Sequence, residues 1–119
     1  YPLMGDRGQL IQVVLNLLLN ALDVMPNGGT VVAELATEPD YVTLAMTDEG
    51  PGIDAAMLPR LFEPFATSKE TGTGLGLVTC KRIVEEHGGT IRGRNIPEGG
   101  ARFEVLLPAF GAVFLPAVR

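Results

Sequence analysis

Between Leu10 and Leu22 the chain is almost wholly apolar. It carries Leu10, Ile11, Val13, Val14, Leu15, Leu17, Leu18, Leu19 and Leu22, with polar interruptions only at Gln12, Asn16 and Asn20. So much leucine without proline or glycine predicts a helix, and a helix apolar on most of its surface is a buried one. Asp6, with Gln9 three residues later, supplies a capping-box-like start; Pro26-Asn27-Gly28-Gly29 stops the helix and turns the chain. A rod of this kind needs a second layer to cover it, and the strand-like segments must provide it.

Two such segments, Thr30 to Thr37 and Tyr41 to Asp48, flank Glu38-Pro39-Asp40 and predict an antiparallel pair. Val42, Leu44 and Met46 alternate on one face, and the same period puts Asp48 there too, an odd place for an isolated carboxylate. The stretch from Gly50 to Gly76 is rich in Gly, Pro and Thr apart from a short helix around Ala55 to Leu61, and predicts a lid. A second helix is expected from about Leu75 to His87, ended by Gly88-Gly89. Thr90 to Asn95 and Ala101 to Leu107 then form a closing hairpin through Pro97-Glu98-Gly99-Gly100. The order predicts an α/β two-layer sandwich, a mixed β-sheet with about three helices on one face.

At 119 residues the chain has room for one core. Residues 1–108 are expected to form a single domain, leaving 109–119 as an apolar tail that packs either on the domain or on a partner. A net charge of -5 with no stripe of Lys or Arg argues against a nucleic-acid or anionic-membrane surface. No apolar run reaches the roughly 20 residues that span a bilayer, and no signal-peptide pattern opens the chain. Cys80, the single cysteine, is expected as a small packed hydrophobe in a helix interior, in keeping with a reducing cytoplasm. A start at Tyr1 rather than methionine predicts a piece of a longer protein.

Candidate chemistry sits in three places. Gln12, Asn16, Asn20 and Asp23 recur at spacings of four, four and three along one face of the first helix. They form either a solvated stripe or oxygen ligands for a hard cation such as Mg²⁺, which leaves much of its shell to phosphates. Asp48-Glu49-Gly50-Pro51-Gly52-Ile53 ends a strand in a glycine turn that a ligand can approach closely. Its carboxylate either satisfies turn amides or accepts a hydrogen bond from an exocyclic amine such as that of adenine. Gly72-Thr73-Gly74-Leu75-Gly76-Leu77 runs straight into a helix, where free amides and the positive helix end suit a phosphate, unless the segment is a plain linker. It is neither a P-loop nor a Rossmann fingerprint. Phe62, Phe65 and Lys69 fall in the lid, as a clamp and a mobile charge or as core and surface. His87, at a helix end, is expected to cap rather than catalyse.

Taken in order, these segments resemble the ATP-binding domain shared by gyrase B-type topoisomerases, heat-shock chaperones of the ninety-kilodalton class, sensor histidine kinases and the mismatch-repair protein MutL. Asn16-Leu17-Leu18-Leu19-Asn20-Ala21 is similar to the N box, and Asp48-Glu49-Gly50-Pro51-Gly52 to the first glycine box. Leu61-Phe62-Glu63-Pro64-Phe65 is similar to the F box, and Gly72 to Gly76 to the second glycine box. The resemblance implies a Bergerat-type fold and ATP with Mg²⁺ as ligands. It assigns Asn20, helped by Asn16, to the metal, and Asp48 to the adenine amine. Gly50 and Gly52 give access to the base, the amides of Gly74, Leu75 and Gly76 meet phosphates, and Lys69 meets the outer phosphates. Asp23, Ile53, Phe65, Thr73 and Leu77 complete the implied nucleotide-binding set.

Gyrase and MutL relatives carry a general-base glutamate one helical turn before the metal-binding asparagine, where this chain has Asn16. That departure and the F box resemble sensor histidine kinases, and Asp23 with Thr67-Ser68-Lys69 resembles their nitrogen-regulation subgroup. The resemblance then implies a cytoplasmic, monomeric fragment of a homodimeric parent, which a sensor region attaches to the inner membrane. Its γ-phosphate passes to a histidine on a separate dimerisation domain and onward to a response regulator. The alternatives are a serine/threonine kinase of the anti-sigma-factor type and a nucleotide-gated binding module without chemistry. His87 does not match the phosphoacceptor pattern, so the fragment is not expected to phosphorylate itself.

Overall fold

The computed structural model describes residues 7–63 and 76–108. The expected cap at Asp6 therefore lies outside the described residues. Helices α1 (Arg7–Asp23) and α2 (Gly76–Glu86) and a 3-10 turn at Leu58–Arg60 accompany strands β1 (Val31–Thr37), β2 (Tyr41–Asp48), β3 (Thr90–Asn95) and β4 (Ala101–Pro108). The strands form one sheet in the order β1-β2-β4-β3. Every pairing in it is antiparallel, whereas the sequence predicts a mixed sheet. The long crossover through α2 does join two parallel strands, β2 and β3, as such connections do. However, β4 inserts between them, so no parallel pair is hydrogen-bonded.

Two tight turns fix the hairpins. Glu38 N donates to Tyr41 O at 2.8 Å between β1 and β2, and Ile96 N donates to Gly100 O at 3.0 Å between β3 and β4. The register then stacks the apolar alternates on one face: Leu44 lies opposite Val105, Met46 opposite Phe103, and Gly93 opposite Phe103 from the other side. Gly93 is needed for space. A side chain there would begin 2.7 Å from the Phe103 ring and 3.0 Å from Leu61 Cδ1. The room lets buried Leu61 reach the sheet and Phe62 stand edge-on to Phe103, with centroids 6.5 Å apart at 88°.

Val13, Leu17 and Ala21 of α1 are buried, and Val13 and Leu17, with Cys80, Ile83 and Val84 of α2, close the core over Met46, Phe103 and Val105. The expectation that α1 is buried all round is corrected. Ile11, Leu15, Leu19 and Leu22 are each half exposed or more, because the sheet covers one side of the helix and no described element covers the other. On the far side of the sheet Arg102 donates to Glu34 on β1 at 2.9 Å, to Glu104 at 3.0 Å and to Thr47 at 3.0 Å, linking three strands. No helix among the described residues is long and apolar enough to cross a membrane.

The Gly88-Gly89 stop behaves as expected. Gly88 adopts φ +78°, Gly89 N donates to Val84 O at 2.9 Å, and His87 Nδ1 lies 2.7 Å from Ile83 O, closing the last turn. Cys80, fully buried, points its thiol at Val13 O (3.8 Å). Burial pushes it up from an ordinary thiol value of 9.0 to about 11, against a smaller opposing pull from Asn16. A raised folded value means stability present below pH 9 and lost as pH rises through about 11. Urea titrations from pH 8 to 11 are therefore expected to show a decline about 1–3 kcal/mol steeper in wild type than in Cys80→Ala.

Candidate functional site

The polar stripe of α1 links two structural ends. At its C-terminal end the helix turns through Val24, whose N donates to Asn20 O at 3.4 Å. A side chain at Gly50 would begin 2.8 Å from Val24 Cγ2. The loop after β2 thus packs on the end of α1 so closely that only glycine fits. Two turns earlier, Asn16 Nδ2 donates to Gly76 O at 3.4 Å, at the first residue of α2. Asn16 and Asn20 are half-buried, while Gln12 and Asp23 are exposed. At 1.5 Å rise per residue, Asn16 and Val24 are about 12 Å apart along the helix. Asn20 therefore lies on α1 between the residue the β2 loop packs against and the residue that meets the start of α2.

Asp48 is the last residue of β2 and is 4% exposed. Its Oδ1 accepts Gly50 N at 2.8 Å and Ala101 N at 3.2 Å. These two amides explain how a carboxylate survives on the apolar face. The turn-amide alternative and the ligand alternative are not exclusive: Oδ1 is taken by the backbone, and among the described residues Oδ2 has no partner. Glu49 reaches back, its Oε1 accepting Thr30 N at 3.1 Å. Gly52 takes φ +85°, and Ile53, half-buried, packs against the core.

Two contributors escaped the sequence reading. Asn95, the last residue of β3, accepts Ile53 N on Oδ1 at 2.6 Å and donates from Nδ2 to Ile53 O at 3.0 Å. Gly100 adopts φ +92°, and a side chain there would run into Asp48 O. The paired glycines at 99 and 100 signalled a turn but not this approach; nothing in the pattern around Asn95 singles it out.

At the other end, Gly76 is exposed with nothing within 4 Å of a would-be side chain, and Leu77 is half-buried on the core. The N-terminus of α2 carries the first-turn amides, which have no partner within the helix, and the positive end of an 11-residue helix. Of the expected site residues, Asp48, Gly50, Gly52 and Ile53 share the loop after β2, which packs on Val24 beside Asp23, while Asn16 meets Gly76 at the start of α2, next to Leu77, and Asn20 lies between on α1. Phe65, Lys69, Thr73, Gly74 and Leu75 lie outside the described residues. A shallow groove elsewhere is lined by Phe62, Val78, Lys81, Arg82, Glu85 and Glu86, its two cations matched by two carboxylates.

A divalent cation fits the donor set only as a shared ligand. No group of three His, Cys, Asp or Glu among the described residues could hold a metal. Asn16 and Asn20 supply neutral amide oxygens, which suits an ion that takes the rest of its shell from phosphate and water.

Residues 5–110 match the family model described as "Histidine kinase-, DNA gyrase B-, and HSP90-like ATPase". Sporulation kinase A of Bacillus subtilis (strain 168) is 44% identical over 104 residues, covering 87% of this chain and 17% of that protein. The chain thus spans a small part of the relative's length. Among solved structures, a mycobacterial sensor histidine kinase, MprB, superposes with a TM-score of 0.81 at 33% identity, covering 92% of this chain and 78% of that one. Full-length ShkA in complex with AMPPNP superposes with a TM-score of 0.76 at 29% identity, covering 91% of this chain and 23% of that one.

Proposed function

Because this chain belongs to the histidine kinase-, DNA gyrase B- and HSP90-like ATPase family, we propose that it is the ATP-binding catalytic domain of a sensor histidine kinase, holding Mg-ATP for transfer of the γ-phosphate to a histidine on a separate domain. The catalytic domain is taken as residues 1–108, with 109–119 as a tail outside it. The dimerisation domain that carries the histidine, the homodimeric state and the downstream response regulator belong to the longer parent protein. The work is placed in the cytoplasm, where ATP is found.

The base end of the nucleotide is assigned to Asp48, whose Oδ2 accepts from the adenine amine while Oδ1 stays on the backbone amides. Gly50 and Gly52 keep side chains out of the way, and Ile53 covers the base. Phosphates take the other end, at the amides opening α2 from Gly76 and Leu77, with Thr73, Gly74 and Leu75 before them and Lys69 and Phe65 in the covering segment. Asn20, assisted by Asn16 and flanked by Asp23, is assigned to the Mg²⁺ that neutralises the phosphates when bound.

One observation carries the choice of a kinase over a hydrolase. Where hydrolytic relatives place a general-base glutamate, Asn16 stands, and its amide donates to Gly76 O. An amide cannot take a proton from water, and this one is already committed to the start of α2. Bound ATP is thereby kept for another nucleophile, and in-line transfer relies on positioning and on the amides around the phosphates.

The test adds γ-labelled ATP and Mg²⁺ to the chain with and without the dimerisation domain of its parent. Label is expected on the supplied histidine, with acid lability, and none on the chain alone. Label on serine or threonine, or on nothing while ATP still binds, would remove the histidine-kinase assignment.

A further inference from the structure

Two strand ends and one loop meet beside Ala101. Its N–H is held by Asp48 Oδ1 at 3.2 Å, and across the β3–β4 ladder it pairs with Asn95. Asp48 secures the near end of the loop through Gly50 N at 2.8 Å. Asn95 secures the far end, through both backbone groups of Ile53, at 2.6 and 3.0 Å. A side chain on Gly52 would begin 2.9 Å from Asn95 Oδ1, so glycine there is what lets the Asn95 amide come alongside. The orientation of that amide follows from its partners, since Ile53 N can only donate and Ile53 O can only accept.

We propose that Asn95 is a positioning residue for nucleotide binding: it never touches the ligand but holds the Gly50–Ile53 loop in its binding shape before the base arrives. The inference rests on the adenine site assigned above. A side chain that must accept and donate on one flat group, two bonds apart, is an amide or a neutral carboxyl. Alanine offers neither function, and an ionised aspartate only accepts and would set its charge against Ile53 O. A loop that must be ordered by the ligand binds it more weakly by the fraction of time it is already in place.

Calorimetric titrations with ADP and with Mg–AMPPNP on wild type, Asn95→Ala and Asn95→Asp test this, alongside thermal melts and hydrogen exchange of the Ile53 amide. Asn95→Ala is expected to bind both nucleotides about tenfold more weakly, by the same factor, since the loop lies at the base end. Its Ile53 amide is expected to exchange faster. Asn95→Asp is expected to show a similar deficit at pH 8 that narrows, relative to wild type at each pH, as acid protonates the carboxyl and restores the donor.

Wild-type affinity in Asn95→Ala, or a constant ratio for Asn95→Asp across pH, would overturn the positioning role while leaving the adenine site intact. If Asn95→Ala does not melt cooperatively, the pH dependence of Asn95→Asp decides alone. Absence of binding in folded wild type would remove the adenine site and this inference with it.

Discussion

Asp48→Asn is expected to bind adenine nucleotides at least about a hundredfold more weakly than wild type while melting within a few degrees of it. The two oxygens of Asp48 have different duties. Oδ1 accepts two backbone amides, from Gly50 and Ala101, and an asparagine oxygen can continue to accept both. Oδ2, assigned to the adenine amine, becomes an NH₂ group that meets another donor. A buried site built around one hydrogen-bond polarity rejects the wrong one strongly, by several kcal/mol where water cannot intervene. Asp48→Ala would weaken binding as well, but it leaves one buried and one part-buried amide without an acceptor, at up to about 1–3 kcal/mol each. Loss of binding there would be confounded with loss of fold. Parallel melts and titrations of the two variants separate the oxygens. Equal affinities for Asp48→Asn and wild type would remove Asp48 from the base-binding role.

The second large effect is structural. Gly100→Ala is expected to destabilise the domain by about 3 kcal/mol or more, a fall in melting midpoint on the order of 10–20 °C. Two terms combine. The φ of +92° is one that L side chains rarely adopt, and a Cβ would collide with Asp48 O and lie 3.0 Å from its carbonyl carbon. Neither contact is a flexible side-chain tip that can swing away. To relieve them, the first residue of β4 would have to move off β2, taking the Ala101 N to Asp48 bond with it.

Gly99→Ala is the internal control. Its φ is +105° but nothing lies within 4 Å, so backbone strain alone applies, about 1 kcal/mol. Thermal melts of the two neighbours give the comparison. Equal destabilisation would show that the close approach to Asp48 contributes nothing beyond strain.

The parts of this molecule that follow local rules were legible from its residues. Period-two alternation placed Leu44, Met46 and Asp48 on one face, and the structure puts them there, with Asp48 buried. The spacing of Asn16 and Asn20 placed them on one stripe of α1, where both are half-buried. Helix stops at Pro26 and Gly88 are local chemistry, and both hold. The pairing of β4 with β2 is not local. The order of elements is silent on whether β4 enters between β2 and β3, so the mixed sheet was expected and an antiparallel one found.

The burial of α1 failed for a related reason. Leucine on every side of a helix says that it is helical and apolar, yet exposure depends on how many layers surround it. The described residues supply one layer, which leaves Ile11, Leu15, Leu19 and Leu22 uncovered. Asn95 was invisible for a third reason. A polar residue at the end of a strand is unremarked by any periodicity, and its importance arises only when a loop 42 positions away folds back to it.

The most direct test of the assigned nucleotide site is a titration of the isotopically labelled chain with Mg–AMPPNP, followed by amide chemical shifts. Saturable changes are predicted at Gly50, Gly52 and Ile53, along Asn16 and Asn20, and at Gly76 and Leu77. Arg92 and Arg94 on the outer face of the sheet should stay still. Absence of saturable change in the folded chain, or changes centred on the groove between Phe62 and Glu86, would contradict the placement of the nucleotide.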